Sequence, residues 1–169
     1  PREGVSWMSM PRVAYNPIKN QYMIAFTVGT QPPSTQFNET FILLLDSEGS
    51  ILYGPSSLSS TAWNANHPDI VFNTAEQRYL VIFNDKYIFP ERTEIDNVGF
   101  FLSDNGSILS GPFRIGTGDG AHFAPSIDYN PTDNTYILAW EDFRHAKGAW
   151  YNGPNDIYGA VLDSTGALL

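Results

Sequence analysis

Three stretches of the chain align without gaps at an interval of 57 residues: Pro11–Phe26, Pro68–Phe83 and Pro125–Trp140. Each holds an aromatic–asparagine pair (Tyr15-Asn16, Phe72-Asn73, Tyr129-Asn130) and then a tyrosine that opens an apolar run (Tyr22, Tyr79, Tyr136). A second motif follows in every copy: Leu45-Asp-Ser-Glu-Gly49, Leu102-Ser-Asp-Asn-Gly106 and Leu162-Asp-Ser-Thr-Gly166. Its last interval is 60 rather than 57, so the third copy carries three extra residues between the motifs. A short unit repeated at fixed period cannot bury its apolar surface alone and must stack on its neighbours.

Each copy reads as four short strands. The first is about Arg12–Tyr15, with Val13, Ile70 and Ile127 alternating against the aromatic two residues later. Asn16-Pro, Asn73-Thr and Asn130-Pro open a tight turn, because asparagine bonds its own backbone and proline presets φ. The second strand (about Gln21–Thr27, Arg78–Asn84 and Thr135–Glu141) is β-branched and aromatic. The third covers Thr40–Leu45, Val98–Leu102 and Ile157–Leu162, and Gly49, Gly106 and Gly166 supply the positive φ of a hairpin. The fourth begins at Ile51, Ile108 and Leu168; Gly54-Pro55 and Gly111-Pro112 suit an outer edge. Four antiparallel strands at this interval are the unit of a β-propeller.

Composition agrees with strands. Only 16% of the 169 residues are charged, with 14 glycines and 12 prolines, and there is no Glu/Lys ladder for a helix face. The formal charge of −9 makes nucleic acid a poor partner, since phosphate binding needs a basic stripe. The longest apolar runs, Phe41–Leu45 and Tyr79–Phe83, are far short of the ~20 residues of a membrane-spanning helix. The absence of cysteine excludes disulfides, thiolate-bound zinc and a cysteine nucleophile. Low lysine with abundant Asn, Ser, Thr and Gly points to an extracellular or cell-surface setting. The chain opens at Pro1 rather than methionine, as expected of a processed or excised piece of a longer product.

The third copy, Pro125-x-Ile-x-Tyr-Asn-Pro…Tyr136-Ile-Leu-Ala-Trp140-Glu-Asp142-x-Arg144…Asp156-Ile-Tyr-Gly-x-x-Leu-Asp163, resembles the repeats of secreted or cell-surface β-propeller proteins of poorly assigned function. Copies one and two lack the Asp-x-Arg and Asp-Ile-Tyr-Gly elements. The resemblance implies an all-β propeller; the 57-residue spacing divides it into repeats at 11–67, 68–124 and 125–169, with residues 1–10 as the end of a preceding blade's fourth strand. It implies no catalytic residues. Known propellers use roughly four to eight blades, and three leave two apolar sheet faces bare. The expectation is therefore a homodimer giving six blades, or further blades from the same parent chain.

Loops on a rigid scaffold carry function, and the connections between second and third strands (Val28–Glu39, Asp85–Asp96, Asp142–Asn155) differ in chemistry. In the third, Trp150 and Tyr151 are candidates for a sugar-stacking platform, with Arg144, His145 and Asn152 as hydrogen-bonding partners. The alternative is that Trp150 packs on its own loop or the next blade. Tyr87 and Arg92 are the candidates in the second connection, where the aromatics instead have the option of plugging a blade interface. Asp142 and Asp156 flank one loop, and Arg144 between them reads as a structural clamp. His67 and His122 fall on connections before a first strand, facing the channel or serving as ordinary loop histidines. The three histidines share no ligand spacing, so neither metal nor cofactor is expected.

These features lead to a non-catalytic extracellular binding module that presents its loops to a glycan or protein ligand. Two alternatives stand beside it. One is a glycan-cleaving hydrolase or lyase on a propeller scaffold, with Glu91, Glu141 or Asp142 as its acids. The other is a structural, self-assembling repeat protein.

Overall fold

The computed structural model describes residues 5–30, 37–59, 65–86, 88, 95–116, 120–145 and 154–169. Strands β1 (Val5–Asn16), β2 (Gln21–Thr30), β3 (Phe37–Leu45) and β4 (Ile51–Ser57) form the first sheet in chain order. β5 (Asn66–Asn73), β6 (Arg78–Asp85), β7 (Asp96–Ser103) and β8 (Ile108–Ile115) form the second, and β9 (His122–Asn130), β10 (Thr135–Asp142) and β11 (Asp156–Leu162) the third. All pairing is antiparallel. The protein is thus all-β, with three antiparallel sheets that follow the three sequence repeats.

Two expectations need correction. Among the described residues the third sheet has three strands and one isolated bridge, Leu162 to Leu168, in place of the expected fourth strand. Residues 5–10 do not finish a fourth strand; they run on into β1, where Trp7, Met8 and Ser9 face Gly29, Val28 and Thr27 of β2. The join is a bulge between Ser9 and Arg12, at which Met10 takes φ 54°. His67 (φ 51°) and Ala124 (φ 45°) occupy the same repeat position. A left-handed non-glycine residue is uncommon and costs of the order of 1 kcal/mol or more. Its threefold recurrence makes the bulge part of the module.

The turns form as the sequence chemistry dictates. Asn16 Oδ1 accepts from the backbone N–H of Ile18 (2.9 Å), Asn73 Oδ1 from Glu76 (2.8 Å) and Asn130 Oδ1 from Thr132 (2.9 Å). In the later hairpins Asp46, Ser103 and Asp163 accept from Ser50, Ser107 and Ala167 at 2.8, 3.1 and 3.0 Å.

The sheets stack face to face. Ala14, Met23, Ala25, Ile42 and Leu44 of sheet one pack on Ile70, Phe72, Val81, Phe83 and Phe100 of sheet two. The opposite face of sheet two, with Leu80, Ile82, Phe101 and Ile115, packs on Ile127, Tyr136, Leu138, Trp140 and Leu162 of sheet three. Tyr79 to Phe83 are therefore completely buried, the outcome that a continuous apolar strand implies. In β10 the same pattern buries one face only, and Ile137 is 50% exposed. The first strands of the sheets touch in series, β1 on β5 and β5 on β9.

Leu80→Ala should lower the unfolding free energy by about 2–5 kcal/mol, as for a large-to-small change in a closed core. Leu109→Ala, on the exposed edge strand β8, should change it by no more than about 0.5 kcal/mol. Guanidinium unfolding measures both, and equal losses would contradict the stacking.

Candidate functional site

The bulge in β9 fixes what happens at the start of that strand. It re-registers the chain between Ala139 and Glu141 of β10, so that His122 stands opposite Asp142. His122 was expected on a connection; it is instead a strand residue with no exposed surface. Its backbone N–H donates to the Ile95 carbonyl at 2.9 Å, tying the start of β9 to the chain entering β7. Asp96 then begins β7 on the far side of the imidazole.

The result is a buried row across sheets two and three. His122 Nε2 lies 3.3 Å from Asp142 Oδ2, and His122 Nδ1 lies 3.6 Å from Asp96 Oδ1. Both contacts are within ion-pair reach but miss hydrogen-bond geometry. An arginine meets each carboxylate from outside. Arg114 Nε donates to Asp96 Oδ1 at 2.9 Å. Arg144 takes both oxygens of Asp142, through Nε at 2.8 Å and a terminal nitrogen at 2.6 Å, and its backbone N–H adds a third bond at 3.0 Å. Trp140 Nε1 donates to Asp142 Oδ2 at 3.0 Å.

Burial alone would raise the Asp142 carboxyl. The bonds from the Arg144 side chain and backbone and from Trp140, together with His122, override it and hold the group at about 2. Burial pushes His122 down, against the pull of Asp142 and Asp96, and the two arginines push the same way as burial. At neutral pH His122 is therefore a neutral imidazole beside the ionised Asp142, whose charge Arg144 balances.

The accessible part of the site lies outside this row. The Arg144 guanidinium carbon sits 3.9 Å from the centroid of the Tyr158 ring, in cation–π geometry. The Tyr158 hydroxyl is 3.3 Å from His145 Nε2. Gly120 makes the approach possible, since a Cβ there would stand 2.6 Å from the Arg144 backbone. A cavity of about 250 Å³ opens beside these groups, lined by Gly116, Trp140, Arg144, Tyr158, Gly159, Ala160 and Leu168. An aromatic face with fixed donors beside it suits a sugar ring.

A second polar feature crosses the three first strands. Arg12, Asp69 and Ser126 hold the same repeat position, and they meet: Arg12 Nε is 3.8 Å from Asp69 Oδ1, while Asp69 Oδ2 accepts from Ser126 Oγ at 3.1 Å and from the Ile127 N–H at 2.9 Å. One carboxylate thus ties the three sheets together.

Of the residues singled out from sequence, the structure brings Arg144 and His145 together, through Tyr158. Trp150, Tyr151, Asn152, Tyr87, Arg92 and Glu91 lie outside the described residues. The clamp reading of Arg144 is half right. It grips Asp142, which faces the interface with sheet two; Asp156, paired with Asp142 across β10 and β11, is exposed. Asp142 is also unsuited to act as an acid, being held ionised with both oxygens occupied. Glu141 accepts from Asn155 Nδ2 at 3.0 Å at the sheet's exposed side. Sequence reasoning missed Asp96, Arg114 and Trp140. The repeat held a signal for Asp96, which occupies the position of Asp156, but none for Arg114.

No family model matches the chain, and no curated protein matches it in sequence. In fold it is similar to an N-acetylgalactosamine deacetylase from F. plautii, solved in complex with blood group B trisaccharide. The TM-score is 0.65 at 10% identity, covering 99% of this chain and 55% of that one. It is also similar to an α-L-arabinofuranosidase from Lactobacillus brevis, with a TM-score of 0.56 at 10% identity over 96% of this chain and 55% of that one. The chain spans about half the length of these structures. The expectation of a non-catalytic binding module is corrected by this result, because the fold over the whole chain is one found in carbohydrate-active enzymes.

The charge row predicts how stability varies with pH. Both groups sit below their ordinary values when folded (6.5 for His122, 3.8 for Asp142), so each favours the folded state at higher pH and loses that contribution as pH falls. Stability should fall first as pH drops below 6.5, as His122 is forced to charge. It should fall again between about 4 and 2, where Asp142 contributes about 2 kcal/mol. Denaturant unfolding across pH should show the lower step shrink in Asp142→Asn, with Asp163 supplying what remains, and the upper one disappear in His122→Gln.

Proposed function

We propose that the chain forms part of a glycan-processing hydrolase, its three sheets being successive blades of a β-propeller. The observation that carries this reading is the fold match over nearly the whole chain to two enzymes whose names both specify carbohydrate substrates. Three consecutive meanders with their first strands side by side support the blade assignment.

In this reading the glycan binds at the end of the molecule where β6 and β10 finish and β7, β9 and β11 begin. The buried row of Asp96, His122 and Asp142 is the support. Arg144, Tyr158 and His145 are the groups it holds toward solvent. Trp150, Tyr151 and Asn152 on the connection from β10, and Tyr87 and Arg92 on the connection from β6, complete the sugar contacts. The setting is extracellular, where polymeric glycans are met. Glu141 takes the place of Asp142 as the acid to test, since it lies at the same end with its carboxylate at the exposed side.

The purified protein is to be incubated with a panel of polysaccharides, arabinofuranosides and N-acetylated amino sugars, scoring released reducing sugar and acetate. Turnover of at least one substrate is expected. Glu141→Gln should reduce it at least tenfold with the unfolding midpoint unchanged. A folded protein that turns over nothing on the panel overturns the reading.

A further inference from the structure

The two ends of the stack carry the two halves of one interface. Between sheets two and three, Asn73 Nδ2 donates to the Tyr136 hydroxyl at 2.8 Å, and both residues are completely buried. One repeat earlier Asn16 meets Tyr79 in the same way, also buried, though short of full hydrogen-bond geometry. Each sheet thus offers its turn asparagine to the tyrosine of the next. The series has one unmatched member at either end. Tyr22 is 37% exposed on the outer face of sheet one, and Asn130 is half-buried on sheet three, its amide turned back to Asp133.

The apolar surface follows the same rule. Val13 is 62% exposed, whereas its counterpart Ile70 is buried beneath sheet one. On sheet three Val161 is 38% exposed, whereas its counterpart Phe101 is buried beneath sheet three itself. Ile157 on the same strand is 74% exposed. The hairpin glycines agree. A Cβ on Gly106 would strike Tyr53 of the preceding sheet, one on Gly166 would press on Phe113, and Gly49 has nothing within 4 Å. The outer face of sheet one is therefore built to receive a sheet of the kind whose outer face sheet three displays.

We infer that these faces dock on each other between two copies of this chain, head to tail. The outer face of sheet three in one copy covers the outer face of sheet one in the other, and the reverse contact closes a ring of six sheets. A second copy carries both faces, and the two internal interfaces show which surface fits which; a wild-type monomer would leave further repeats of a longer parent chain as the occupant. A contact between two different faces closes into a ring or propagates as a filament. Closure at six sheets rests on the blade reading proposed above; the pairing of faces does not.

Light scattering on the purified chain tests this without reference to glycan turnover, so its failure and that of the enzymatic reading are separate. The expected mass is twice 18.8 kDa. Val13→Lys and Val161→Lys each alter an exposed side chain on the docking faces, away from Glu141, so each should leave cooperative unfolding intact while reducing the particle to one chain. Mixing the two variants should restore a two-chain species, since each keeps the face the other lacks. A wild-type monomer overturns the inference, as does a variant that remains dimeric alone; a ladder of higher masses overturns closure at six sheets, and with it the blade reading.

Discussion

Burial of the middle sheet on both sides is the constraint on which the rest of the structure depends. Tyr79 to Phe83 turn alternately toward sheets one and three, and none retains exposed surface. Each such side chain is worth roughly 1.5–3 kcal/mol in removal from water, so sheet two is stable only between its neighbours. A strand ladder satisfies the backbone but leaves two apolar faces per sheet. Stacking in series is the simplest way to cover them, and it sets the relation between the sheets before any polar contact is made.

The polar contacts then fix orientation. Asp69 receives Arg12 from one side and Ser126 from the other, all three at one repeat position. Asn73 donates across to Tyr136 of the next sheet. Such bonds add about 1 kcal/mol each, less than the apolar faces, but they have direction. They set the register of one sheet on the next where apolar surfaces alone would slide.

The row of Asp96, His122 and Asp142 has a different character. Buried charges cost desolvation, and a well-packed apolar substitute is often no less stable. What the row supplies is geometry: it fixes Arg144 by three bonds, and through Arg144 the Tyr158 ring and its contact to His145. That rigidity lies at the end of the sheets where the chemically distinct connections leave, and the glycan reading places its substrate there. Asp142 and Asp85 share a repeat position, yet Asp85 accepts from the Ile88 backbone instead. One module has been turned to separate uses.

The repeat by itself determined the strand order, the turns and the hairpins. Asn16, Asn73 and Asn130, and Gly49, Gly106 and Gly166, act on backbone within a few residues of themselves, and such local chemistry is legible in one dimension. The bulge at Met10, His67 and Ala124 was not legible, because no glycine marks it and the strain is borne by pairing with the next strand. Nor was the burial of His122, whose neighbours Asp96 and Arg114 come from another sheet. Leu80 and Ile137 sum up the division. They hold the same position in the same pattern, yet one is sealed and the other half exposed. The sequence specified an apolar residue at both, and only the presence of an adjoining sheet decided which would leave water.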